Sequence, residues 1–141
     1  LILGTCSLGI VNATFVAFLL SVFFKVPSEL SASVAALSVT TPISLIVTDC
    51  WGDQLFGAAM VIFIGLLGAL FGFMLFKLVK IGSHESQGVA MGTACHAIGT
   101  AAALAEHPKI GAFSSVAMAL SALLTAIIVP LLYPFLVNSL L

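Results

Sequence analysis

Long apolar runs alternate with short polar connectors along this chain. Leu1 to Phe24 carries no charged side chain before Lys25. Leu55 to Val79 repeats the pattern, with Lys77 placed where it snorkels to the headgroups. About 20 apolar residues cover the hydrocarbon core of a bilayer, so both runs predict transmembrane helices. A third run starts near Gly111 and carries Pro130 and Pro134, which are expected to kink or end it because proline offers no backbone N–H. Stretches such as Met60 to Phe71 do not alternate polar with apolar, which argues against the strands of a membrane barrel.

Two further stretches are apolar on average but interrupted by small residues and hydroxyls. They are Ser28 to Thr48, with Pro42 inside it, and Ser86 to Leu104, with Gly92 and Gly99. Proline pushes the preceding residue out of the α region, and each glycine weakens a helix by about 1 kcal/mol relative to alanine. Irregular backbone at membrane depth is tolerated only inside protein or beside a wet cavity. The expected fold is therefore all-α: a polytopic transmembrane helical bundle with two interrupted (broken or re-entrant) helices. It forms a single membrane domain over 1–141, with spans at about 1–24, 28–48, 55–79, 86–104 and 111–137.

Sliding the chain by 55 residues pairs 1–50 with 56–105. Lys25 then meets Lys80, Ser28 meets Ser83, Ala35 meets Ala90, and Thr40-Thr41 falls on Cys95-His96. A duplicated unit and the self-similarity of apolar sequence both explain such matches. A duplicated unit would be the pattern in which broken helices meet at a midplane site. Lys25, Lys77 and Lys80 follow two spans in the same direction, so the positive-inside rule places them in the cytoplasm. Whether the His96 segment crosses or re-enters is open at this level.

Composition strengthens the membrane reading. Hydrophobic residues make up 62% of the chain and charged ones 6%, with a mean hydropathy of +1.32. A soluble domain carries about a quarter charged residues, so lipid must be the solvent here. The net charge of −1 and the lack of any Arg argue against nucleic acid as a partner. The chain begins at Leu1 inside an apolar run, which suggests a fragment of a protein longer at its N-terminus. Cys6, Cys50 and Cys95 give neither a disulfide framework nor a zinc signature, and read as buried thiols. Gly57, Gly65, Gly68 and Gly72 suit close helix–helix packing better than ligand contact.

His96 is the most informative side chain. An ionisable group inside a membrane segment is costly and usually serves a pathway, a relay or a ligand. The plainer alternative is a neutral imidazole tying two helices together. His84 and His107 lie in polar connectors and read as solvated loop residues. The candidate substrate-binding set is Ser38, Thr40, Thr41, Pro42, Thr93, Cys95, His96, Gly99 and Thr100. Broken helices expose N–H groups at a positive dipole end, which suits a carboxylate, so a small organic anion moving with a proton is the coherent ligand. No catalytic constellation, metal site or cofactor motif is expected. Cys95 and His96 are adjacent and diverge on a helix, and the histidine spacing fits no zincin pattern.

The strings SVTTPI (38–43), GVAMGTACHAIGTAAAL (88–104) and GAFSSVAMALSALLTAIIVPLL (111–132) resemble the LrgB family (CidB-like) of membrane proteins. The resemblance covers essentially the whole chain and corresponds to the family's C-terminal portion. It implies a multi-pass protein of the bacterial inner membrane, a homo-oligomer with a small LrgA-like membrane partner. It also implies either membrane transport of small monocarboxylates of the glycolate, glycerate or pyruvate kind, or an antiholin-like regulator of murein hydrolase activity and autolysis. Thr40, Thr41, Pro42, Thr93, His96, Gly99 and Thr100 stand at the family's motif positions. The chain departs from the pattern at Ala36-Leu37, where a Pro-Lys pair is usual, and at Gln87 and Ala102, where Arg is usual. Cys95 stands in place of Ser. The missing cations weaken any anion site that used them.

Overall fold

The computed structural model describes residues 2–27 and 53–140, with side chains described as far as Leu131. The expected span at 28–48 lies outside the described residues, as do Ser38, Thr40, Thr41, Pro42 and Cys50. Four helices follow: α1 (Ile2–Phe23), α2 (Gln54–Leu78), α3 (His84–Glu106) and α4 (Pro108–Leu140). All four are long and apolar enough to cross a membrane by length and composition.

Their ends are set by short polar signals. Asp53 caps α2, its carboxylate accepting from the N–H of Phe56 at 2.9 Å. Ser83 caps α3, accepting from the N–H of Ser86 at 3.2 Å. The amide of Gln87 donates to the carbonyl of Ile81 at 2.7 Å and closes the α2–α3 turn. Thus one position where family resemblance suggests Arg is filled by a residue that ties down its own loop. Pro130 and Pro134 do not end the last helix, which continues to Leu140. A proline removes one intrahelical bond, and in a membrane neighbouring groups make up that loss.

α3 packs most extensively on α4 and then on α2, whereas α1 lies chiefly along α4. Close approach comes from glycine. A β carbon on Gly65 would touch Ile98, one on Gly68 would overlap the Cys95 side chain, and one on Gly72 would press on Met91 Sδ. On the other side of α3, Gly88 meets the Ile110 carbonyl and Phe113, and Gly92 meets the Ser114 carbonyl. Backbone-to-backbone contact of this kind replaces the hydrophobic drive that water would supply. Large apolar side chains such as Leu55, Phe63, Leu70 and Leu78 stay exposed on α2, as a lipid-facing wall requires.

One residue of α3 leaves helical geometry. His96 has φ 49° and ψ −135°. A straight helix of 23 residues would hold its ends about 34 Å apart. Instead the ring of His84, at its start, stacks on that of His107, just beyond its end, with centroids 4.3 Å apart. Glu85 pairs with Lys109 at 2.5 Å beside them. The chain therefore doubles back at His96, and its limbs, 84–95 and 97–106, return to one end. The glycines expected to break this segment do not do so; Gly92 opens a contact to α4 instead. His84 is not a solvated loop residue either, since it starts α3 half-buried against His107.

Candidate functional site at the bend of α3

The bend gathers the described members of the candidate set into one stretch, though not onto one face. His96 is 3% exposed and sits at the apex. Its backbone is close to the first central position of a type II′ turn, a place glycine normally fills. Holding a β-carbon-bearing residue there costs on the order of 1–3 kcal/mol, and such strain clusters at functional sites.

Gly99 explains how the turn closes. A β carbon at Gly99 would collide with the Cys95 β carbon and stand 3.1 Å from the Met91 carbonyl. Its role is therefore space for the bend. Cys95 turns toward α2, where its thiol fills the hollow left by Gly68. Cys6 and Cys95 are free and buried, as lipid-sheltered thiols are expected to be.

Thr93 and Thr100 occupy different surroundings. Thr93 Oγ1 lies 3.5 Å from Cys6 Sγ on α1, and lines a groove of about 830 Å³ between α1 and the first limb. That groove is mostly apolar, with Thr5, Glu85 and Ser86 among its few polar walls. Thr100 faces the other way, and its hydroxyl is 2.8 Å from Ser114 Oγ in a buried pair. Either hydroxyl can donate in that pair, and Thr100 Oγ1 also lies 3.8 Å from Met118 Sδ, a weak acceptor.

Sequence reasoning missed the hydroxyls of α4. Ser114, Ser121 and Thr125 are all 0% exposed. Their spacings of seven and four residues place them on one helical face, together with buried Ala117, and that periodicity was the available signal. Among the described residues no group of three His, Cys, Asp or Glu side chains is placed to hold a metal ion. Glu85 and Lys109 are about half-exposed, so their ion pair contributes little stability.

Comparison with known proteins gives these features a family setting. The LrgB-like family matches residues 1–135. The chain is 29% identical over 125 residues to a protein of Staphylococcus aureus (strain Mu50) named Holin-like protein CidB, covering 88% of this chain and 55% of that one. An uncharacterized protein of Haemophilus influenzae is 29% identical over 129 residues, covering 88% of this chain and 56% of that relative. The uncharacterized protein YwbG of Bacillus subtilis is 36% identical over 104 residues, or 73% and 46% of the two chains. The chain thus spans about half the length of the curated relatives it matches. No solved structure matches it. With four apolar helices among its described residues and bacterial relatives, this is a multi-pass bacterial membrane protein in contact with lipid, and the chain belongs to the LrgB-like family.

Proposed function

We propose that the protein is a holin-like protein of the bacterial inner membrane that regulates murein hydrolase activity and autolysis. The observation that carries this reading is its similarity to Holin-like protein CidB across 88% of the chain. A small LrgA-like membrane partner and a homo-oligomeric state belong to the same reading. The test uses the full-length gene in its own host. Deletion is expected to change the rate of autolysis and the extracellular murein hydrolase activity, with complementation restoring both. Unchanged lysis in the deletion strain would overturn the reading.

The bend favours a second reading, a path for small monocarboxylates. In it α3 is re-entrant. Lys77 and Lys80 follow α2, and the doubling back at His96 returns Lys109 to the end where α3 starts. The positive-inside rule then puts this end in the cytoplasm, with His96 at the tip of a hairpin that enters and leaves on that side. The 55-residue repeat extends to the ends of α1 and α2. Phe24 N–H donates to the Leu20 carbonyl and Lys25 N–H to that of Val22; 55 residues on, Val79 donates to Leu75 and Lys80 to Lys77. Lys25 and Lys80 also share a positive φ, 53° and 60°. A buried imidazole beside opened helix ends suits a carboxylate that moves with a proton. Liposomes holding the full-length protein should take up labelled pyruvate, glycolate or lactate saturably, and His96→Ala should abolish this while expression persists. Equal uptake by protein-free liposomes would end this second reading.

A further inference from the structure

Contacts along α4 fix the depth of the α3 apex. On the outgoing limb, Gly88 lies against residues Ile110 to Ser114 and Gly92 against Ser114 and Met118. Helix and limb therefore run in parallel with an offset of about 24 residues, which carried four further sets His96 level with residue 120. The returning limb gives the same depth independently. Leu104 meets Gly111, and Thr100 meets Ser114 and Met118, so stepping back four residues again reaches the neighbourhood of residue 120. Ser121 stands at that level, 0% exposed.

The hydroxyl of Ser121 behaves unlike its neighbours. Serine and threonine in membrane helices commonly donate back to a carbonyl one turn earlier. Ser115 does so to Gly111 at 2.9 Å, Ser7 to Leu3 at 2.9 Å, and Thr5 to Ile2 at 2.9 Å. Ser114 bonds to Thr100 across the interface. Ser121 Oγ is buried and has no hydrogen-bond partner among the described residues. A buried hydroxyl left so costs stability, and ordered water is the usual remedy. Water needs further polar partners, and a helix that reverses supplies them. The last carbonyls of its first limb and the first N–H groups of its second lose their helical partners.

We propose that Ser121 holds a buried water molecule at the depth of the α3 apex, bonded on its far side to backbone groups opened by the bend. The site stands whether or not the protein carries monocarboxylates. It places a polar, hydrated point between α4 and the tip of α3.

Solid-state NMR of the full-length protein in bilayers tests this by transfer of magnetisation from water to labelled serines, the Ser121 signal being assigned by its loss in S121A. Transfer to Ser121 is expected to outpace that to Ser114, which is equally buried but bonded to Thr100, and to approach that of exposed Ser83. Transfer no faster than to Ser114 overturns the proposal. Thermal melting gives a second reading: S121A should melt lower than the parent protein if water is lost with the hydroxyl. A rise in Tm, as expected for removing a dry orphan group, also overturns it.

Discussion

Gly99 rests directly on Cys95, so closely that a β carbon built on Gly99 would overlap that of Cys95. In a regular helix β carbons four residues apart are separated by about 5–6 Å. The compression records the reversal at His96, which lies between them. Gly99→Ala must either open the bend or distort the Met91 turn. It should destabilise the protein by about 1–3 kcal/mol, the usual cost of overpacking, seen as a lower Tm in detergent. A Tm equal to that of the parent protein would contradict the close contact.

The backbone at His96 makes a paired prediction. Glycine accepts φ 49° without steric cost, and alanine does not. His96→Gly should therefore melt above His96→Ala, although both lose the imidazole. The order would invert if α3 were a regular helix there, since glycine is about 1 kcal/mol worse than alanine in helix interiors. Thermal melts of the two variants side by side decide the matter.

Gly68 and Cys95 should behave as one unit. Gly68→Ala drives a methyl into the Cys95 side chain, and Cys95→Ala removes the sulfur that stands closest. The double variant should be more stable than the sum of the single effects allows, with a coupling of about 0.5–3 kcal/mol in a double-mutant cycle. Additive effects would place the two helices further apart.

Thr100 and Ser114 form a buried pair whose partners need each other. Thr100→Val leaves the Ser114 hydroxyl orphaned and should cost roughly 1–3 kcal/mol. Adding Ser114→Ala to it should recover part of that loss. Chemical denaturation of the three variants in one detergent measures it.

Much of this fold was legible in the sequence. Apolar run length marked α1, α2 and the start of α4 to within a few residues, because the bilayer allows few other solutions. The Ser86 to Leu104 stretch stood out for its hydroxyls and its histidine, which are expensive in lipid. The exact place of its reversal was not legible. Glycines looked like the weak points, yet Gly92 serves contact with α4 and the turn falls on His96, whose β carbon makes this φ and ψ costly. The span expected at 111–137 already contained Pro130 and Pro134, and α4 runs through both to Leu140; only the choice between a kink and an end was open. Ser121 went unnoticed because a single serine in an apolar helix usually bonds to its own backbone. Only the depth of the α3 apex gives it meaning.

The distance between the two ends of α3 is the most direct measure of the structure described. Spin labels on Ser86→Cys and Lys109→Cys, in full-length protein cleared of native cysteines, report it by dipolar spectroscopy. If the chain doubles back at His96, the labels should lie well under half of the roughly 34 Å that a straight helix of this length would impose. A distribution centred at or beyond that longer distance would show α3 crossing as an unbroken rod, and the apex with its buried imidazole would not exist.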